Sequence, residues 1–222
     1  MYKKIEMNTK WHQEILPSDS HKVLHELIYA IPLSEFYLAG GTGLALLYGH
    51  RLSRDFDFFT AQLFDENAFI QRLQGLNDLT IVAKSEHTVH ITYMGLKISF
   101  LAYTYPLLYK KKQYQPEADI SINVADARDI ACTKISAIGS RGTKRDFVDL
   151  YKVTRQYSLP ELYRLFQKKF SLTPYNNVHI LKSLTYFADA ELEPMPDMLI
   201  PLSWDTVKQF FVSEVPKLLK VL

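Results

Sequence analysis

The chain has 222 residues, 47% of them apolar, with 14 Tyr and 13 Phe, and a formal net charge of +2. That suffices for one large or two modest packed domains, but the near-neutral balance excludes field-wide attraction to nucleic acid. The single cysteine, Cys132, excludes an internal disulfide framework and argues against cysteine-based zinc; no stretch reaches membrane-span length, and no apolar run follows the amino-terminal charges, so a cytoplasmic protein without a secretory leader is expected.

Taken in chain order, Ser18–Ile31 is predicted helical, with Val23, Leu24, Leu27, Ile28 and Ile31 on one stripe. His21 and His25 have the one-turn spacing of a metal pair. Lys22 stands where a metalloprotease helix needs glutamate and no third ligand suggests itself, so a solvated face is expected.

Phe36–Ala39 reads as a buried strand leading into Gly40-Gly41, where the chain can turn sharply. Thr42 is a fitting N-cap for a helix over Leu44–Tyr48. The first amides of that helix would be unpaired and sit at the positive end of its dipole, a place for phosphates. Gly41-x-Gly43 lacks the third glycine of a dinucleotide fingerprint, and no Lys-Ser/Thr follows as in a P-loop. A strand-to-helix turn that needs small residues only for packing is the plain alternative. His50 and Arg51 close the helix, which suits its dipole; Arg51 is equally placed to hold a carboxylate or a phosphate, and Ser53 to orient the aspartate pair that follows by hydrogen bonding.

Asp55-Phe56-Asp57-Phe58-Phe59 has strand composition, and side chains alternate faces with period two. Asp55 and Asp57 therefore point one way, Phe56 and Phe58 the other. Two carboxylates roughly 5 Å apart, at an effective dielectric of about 20, repel by about 3 kcal/mol. A cation between them removes that cost, and oxygen ligands favour Mg2+ or Mn2+. A water-screened Asp-x-Asp at a strand end is the alternative. Glycine turn and aspartate pair together are far more specific than either part, and together suggest a nucleotide handled with a divalent cation.

Beyond Thr60, a helix is predicted over Asp65–Leu73, then antiparallel strands over Leu79–Ala83, Thr88–Tyr93 and Lys97–Tyr103, with Met94-Gly95 as a hairpin turn and a short strand over Asp119–Val124. Lys110-Lys111-Lys112 lies among Tyr103, Tyr105, Tyr109 and Tyr114; Lys168-Lys169 and the group Arg141, Lys144 and Arg145 are further basic clusters. Each suits RNA phosphates or an ordinary solvated face.

From Asp126 onward the pattern is helical. Asp126 is an N-cap, with Asp129 three residues on in a capping-box-like arrangement as a first-turn acid. Ala127, Ile130, Ala131, Ala137 and Ile138 form an apolar stripe, and Lys134 sits in its middle. Such a lysine either snorkels to water or meets a triphosphate or a carboxylate. The next helix, from Thr143 or Lys144, packs through Phe147, Leu150, Tyr151 and Thr154, while Asp146 and Asp149 share a side. A dipole role for Asp146 and a surface pair between Arg145 and Asp149 are the plain alternatives. Ser158 with Pro160 and Thr173 with Pro174 read as helix starts, and Pro216 as a kink or restart in the last helix. The expected fold is mixed α/β (α+β): a mixed-sheet core over residues 1–125 and a helical half over residues 126–222 that returns Lys134 and Asp146 to the site.

Gly-Gly, a helix, then Asp-x-Asp on the next strand resembles the polymerase-beta-type nucleotidyltransferase superfamily. Leu38-Ala39-Gly40-Gly41-Thr42 followed by His50-Arg51-x-Ser53-x-Asp55-x-Asp57 resembles its AbiEii/AbiGii toxin branch. So does a second block, Asp129-Ile130-Ala131-x-x-Lys134, Ala137, Arg141 and Lys144-Arg145-Asp146-Phe147-x-Asp149-Leu150-Tyr151; the likeness spans Phe36 to Tyr157. The resemblance implies Mg2+- or Mn2+-dependent transfer of a nucleotide from a nucleoside triphosphate to an acceptor hydroxyl, with an RNA such as the tRNA 3′ end as acceptor. It also implies the toxin half of a bacterial toxin–antitoxin or abortive-infection pair, with a cognate antitoxin as partner. Asp55 and Asp57 would hold metal, Gly40, Gly41, Thr42, Arg51 and Ser53 the nucleotide, and Lys134 and Asp146 would complete the catalytic set, with Asp149 and Arg141 secondary.

One departure stands out. The superfamily usually places a third carboxylate on a later strand, but Leu96–Tyr103 contains no acid and carries Ser99 near that position. Either Asp146 or Asp149 supplies the carboxylate, or catalysis is weakened or absent. A non-catalytic nucleotide- or antitoxin-binding module and a protein-modifying nucleotidyltransferase remain as alternatives.

Overall fold

The structure, a computed structural model, describes residues 9–218. The amino-terminal segment on which the expectation about a leader rests lies outside them. In chain order the principal elements are α1 (Ser20–Ala30), β1 (Tyr37–Leu38), α2 (Gly40–Tyr48), β2 (Asp55–Thr60), α3 (Glu66–Leu73), β3 (Leu79–Ser85), β4 (Thr88–Tyr93), β5 (Leu96–Ala102), β6 (Lys112–Glu117) and β7 (Ile120–Val124). Then come α4 (Ala127–Ser140), α5 (Lys144–Thr154), α6 (Leu159–Lys169), α7 (Asn177–Ser183), α8 (Ala188–Glu191) and α9 (Trp204–Leu218). No helix among the described residues is long and apolar enough to cross a membrane.

The strands form one mixed seven-stranded sheet, ordered β3-β4-β5-β2-β1-β7-β6. β2 runs parallel to β5 and antiparallel to β1, and β1 runs parallel to β7. The alternation read from the sequence decides which face of β2 does what. Phe56 and Phe58 are buried with Leu38, Phe100, Val89 and Ile98 in a core closed by α1 and α3. Phe58 stacks on Phe100 at 5.4 Å between ring centroids. Burying each such ring contributes roughly 1.5–3 kcal/mol. Asp55, Asp57 and Phe59 point to the opposite face, where a second core joins Tyr37 and Ala39 to α4, α5, α6 and α9. The carboxylate pair therefore faces the helices.

Several local expectations are corrected. Thr42 is not an N-cap: α2 begins at Gly40, and the Thr42 hydroxyl sits inside the helix, donating to the Asp55 carbonyl and lying 2.7 Å from Ser53 Oγ. β6 is an additional strand, running through Lys112 and Pro116 with a register shift between Tyr114 and Glu117. As the last strand of the sheet it needs hydrogen bonds along only one side, so it tolerates proline and lysine. The helix expected after Thr173-Pro174 begins instead at Asn177, capped by Asn176. Pro216 lies within α9, which does not restart there. The Met94-Gly95 hairpin turn is as expected, with both residues at positive φ.

One further reading fails and another is extended because the partners are distant in sequence. Lys169 is not a surface cation: it is buried, 2.9 Å from Asp129 and 2.7 Å from the Pro106 carbonyl. Asp129 is correspondingly more than a first-turn acid, since it also accepts the amides of Leu108 and Tyr109.

Candidate active site

The turn into α2 is built to let two side chains approach it closely. Gly40 has φ +59°, and a Cβ there would collide with the Asp57 carboxylate. A Cβ on Gly41 would collide with the Arg51 guanidinium. The amides of Gly40, Gly41 and Thr42 precede the first intrahelical bond, from Gly43 to Ala39, and stand at the positive helix end.

Between α2 and β2 the chain is pinned from outside. Leu52 donates to the Asp197 carbonyl and Leu199 to that of His50, beside a bridge between Arg51 and Met198. This turns His50 and Arg51 inward to Asp149, which is completely buried on α5. Arg51 grips it with two bonds, Nε to Oδ1 at 2.7 Å and Nη2 to Oδ2 at 2.9 Å, and His50 Nε2 meets Oδ1 at 2.9 Å. The remaining Arg51 nitrogen donates to the Leu52 carbonyl at 3.0 Å. Arg51 is thus a carboxylate holder. Asp149, read as secondary or as a surface partner of Arg145, is the hub of the network.

Lys134, from the apolar stripe of α4, joins the two acids of α5. Its ammonium lies 2.8 Å from Asp146 Oδ1 and 2.7 Å from Asp149 Oδ2. It does not snorkel away. An ammonium has three donors, so one is left for the cleft that Lys134 lines. Asp146 also accepts from Thr143 Oγ1 at 2.6 Å and Arg141 Nε at 3.2 Å. Thr143 is the N-cap of α5, so the same residue starts the helix and braces its first acid.

The electrostatics separate two kinds of acid. Burial pushes Asp149 upward, but Lys134, Arg51 and His50 overcome it and hold the carboxyl well below its usual range. Asp146 is likewise raised by burial and brought below the usual range by Lys134, Thr143 and Arg141. His50 goes the other way: burial lowers its pKa against the pull of Asp149, keeping it neutral with Nδ1 buried and without a partner. Asp57 is the exception among the acids. Burial raises it and Asp55 raises it further, with Lys134 and Arg141 only partly compensating. A carboxylate held so close to a second one, with its charge disfavoured, is what a cation would relieve.

Asp55 and Asp57 open on a cleft of two adjoining lobes, about 390 and 270 Å³. Both are bordered by Gly41, Asp57, Ser99, Lys134, Arg141 and Asp146. Asp55, Thr42, Arg51 and Ser53 border the second, so the residues singled out from the sequence converge on one cleft; Asp149 lies behind it. Arg145 reaches Asp55 at 3.7 Å from an exposed position. Ser53 is committed to Thr42 and does not orient the aspartate pair. Among the described residues no three His, Cys, Asp or Glu side chains converge to hold a metal unaided. Two carboxylates do fit Mg2+ or Mn2+, which commonly takes one or two protein carboxylates together with substrate phosphates and water. Sequence reasoning missed the depth of His50 and the rank of Asp149, whose signal, the adjacent His50-Arg51 pair, has meaning only once a distant acid is known. It also missed His90, which borders the larger lobe and lies 2.9 Å from Ser99 Oγ.

Comparison with known proteins agrees with this geometry. A family model described as nucleotidyl transferase AbiEii toxin, type IV toxin–antitoxin system, matches residues 23–106 and 98–220. An uncharacterised Aquifex aeolicus protein, aq_aa25, is 36% identical over 92% of this chain and 98% of its own. Among solved structures, the Mycobacterium tuberculosis nucleotidyltransferase toxin MenT4 superposes with a TM-score of 0.59 at 14% identity, covering 89% of this chain and 82% of that one. Helicobacter pylori JHP933 superposes at 0.50 with 17% identity, covering 95% of each. At these identities the structures show a shared fold.

Proposed function

Because the chain belongs to the AbiEii nucleotidyl transferase toxin family, we propose that this nucleotidyltransferase moves a nucleotide from a nucleoside triphosphate to a hydroxyl of an RNA, with the tRNA 3′ end as the leading candidate, under Mg2+ or Mn2+. The observation that carries the reading is the carboxylate pair of β2 facing a buried lysine across one cleft. In this reading Asp55 and Asp57 hold the cation, which supplies charge neutralisation at the α-phosphate. The amides of Gly40, Gly41 and Thr42 receive phosphate oxygens. The free donor of Lys134 meets the charge that develops in transfer, in a site already shaped for it. Arg141 and Arg145, exposed at the rim, take phosphates of triphosphate or acceptor.

Asp146 receives a different role from the one its position in the sequence suggests. An acid that accepts three hydrogen bonds and is held ionised is a poor proton acceptor. It holds Lys134 in place, as Asp149 and Arg51 do from behind. Location in the cytoplasm, a cognate antitoxin and a part in phage defence are proposed with this activity.

The test is incubation of the protein with each labelled nucleoside triphosphate, Mg2+, and total RNA or cell lysate. Label in RNA is expected, and the Asp55→Asn/Asp57→Asn double variant should lose at least about 10³-fold in rate. Label in protein would make the enzyme a protein modifier. Equal transfer by wild type and double variant would remove the metal site from the account.

A further inference from the structure

Nucleotide transfer requires the attacking hydroxyl to lose a proton, and the carboxylates around the cleft are committed elsewhere. Asp55 and Asp57 are the cation's ligands in the reading above. Asp146 accepts from Lys134, Thr143 and Arg141. Burial raises the Tyr103 phenol far above neutrality, and the Lys134 ammonium is stabilised by its two acids. Among the described residues bordering the cleft, the remaining side chain of a kind that serves as a general base is the imidazole of His90.

Its placement is a consequence of strand register. Asp57 lies opposite Ser99 in the parallel β2–β5 pair, and Ser99 lies opposite His90 in the antiparallel β5–β4 pair. Directly opposed residues share a sheet face, with Cβ atoms about 4.5–5.5 Å apart. The three therefore stand in a row on the face that carries the carboxylates. His90 Nδ1 is 2.9 Å from Ser99 Oγ, and both side chains border the larger lobe of the cleft. Ser99 stands between Asp57 on one side and His90 on the other, and its hydroxyl is within hydrogen-bond distance of the imidazole. His90 is half-buried, so a proton it gains can pass on to solvent.

The geometry points to Ser99 and His90 as the proton acceptor for the attacking hydroxyl, a role that rests on the transfer reaction proposed above. The acceptor's O–H proton passes to Ser99 Oγ as the Ser99 proton moves to His90 Nδ1. The oxygen so freed forms a bond to the α-phosphorus, the bond from that phosphorus to the bridging oxygen breaks, and pyrophosphate leaves with the electron pair. The His90 imidazolium then returns its proton to Ser99 or loses one from Nε2.

The experiment compares labelled transfer by wild type, His90→Gln, Ser99→Ala, Ser99→Asp and the His90→Gln/Ser99→Asp pair, alongside Mn2+ affinity, KM for the triphosphate and melting temperature. Glutamine can hydrogen-bond to Ser99 but cannot take its proton. His90→Gln and Ser99→Ala should each lower kcat by about 10²-fold, with KM and melting temperature unchanged in both and Mn2+ affinity unchanged in His90→Gln. In the Ser99→Asp background a carboxylate takes the proton directly, so adding His90→Gln should cost less than about twofold. A His90→Gln protein with wild-type kcat would overturn the assignment, as would a loss that tracks Mn2+ or nucleotide affinity, or one that persists in full beside Ser99→Asp. Those results leave the transfer reaction standing, whereas a wild-type chain that transfers nothing removes both.

Discussion

Two buried charge clusters each take one residue from α4, and they solve the same problem differently. In the Asp129–Lys169 cluster each charge is closed off: Asp129 receives two backbone amides and the ammonium, and Lys169 also reaches the Pro106 carbonyl. The result is a clamp tying the segment after β5 to α6. In the Asp149 cluster three basic groups surround one acid, yet the arrangement continues outward through Lys134 and Asp146 to the cleft. At the back the Asp149 carboxylate is fully paired, whereas at the front Asp57 keeps a disfavoured charge. Buried charge alone does not mark a functional site; what marks it is unfinished pairing that faces an opening.

The largest expected effect follows from breaking the second cluster at its hub. Asp149→Ala leaves Arg51 and Lys134 buried without their common partner, so a loss of about 3–5 kcal/mol in unfolding free energy is expected. Nucleotide transfer should fall by about 10²-fold or more even where the protein is still folded, because Lys134 loses one of its two supports. Denaturant melts paired with transfer rates per folded molecule would check it. A variant with intact transfer would show that Lys134 is held without Asp149.

Asp129→Ala sharpens the contrast. It should cost a similar amount, about 3–5 kcal/mol, while transfer per folded molecule stays within about twofold of wild type. Should transfer collapse together with stability only in Asp149→Ala, the two clusters are separable; if both variants behave alike, they are not.

The smallest effect is read by pH. Asp149 and Asp146 have folded pKa values below their unfolded ones, so their contribution is present above about pH 4 and is lost as pH falls through the folded values. His50 is lowered too, so the unfolded chain takes up a proton below about pH 6.5 that the folded chain refuses, and stability begins to decline there. Asp57 has the opposite sign. Its raised pKa means that acid discharges a repulsion within the fold while removing a cation ligand. Mn2+ affinity, followed by titration calorimetry, should therefore decline at a higher pH than expected for an ordinary aspartate. Affinity that stays flat down to pH 4 would contradict this.

What the sequence made legible was what is local. The period of a strand placed Asp55 and Asp57 on one face and Phe56 and Phe58 on the other, the caps at Asp126 and Ser158 lie where their carboxyl or hydroxyl chemistry puts them, and α5 starts where expected. Thr42 misled because its hydroxyl is claimed by Ser53 and Asp55, eleven and thirteen residues away. Asp149 was ranked low because its neighbour Arg145 offered a simpler partner, whereas its true partners come from the other end of α2. His90 carries no motif at all. Its relation to Ser99 exists only in the register of a hairpin, which a one-dimensional pattern does not specify.

The Arg51–Asp149 grip spans 98 residues. During synthesis, the glycine turn and both aspartates leave the ribosome well before α4 and α5, so a nascent chain displays its acids with neither lysine nor clamp. A chain that ends upstream of α5 lacks Asp146 and Asp149 and with them both supports of Lys134. The complete cleft is therefore expected only in molecules translated at least through α5.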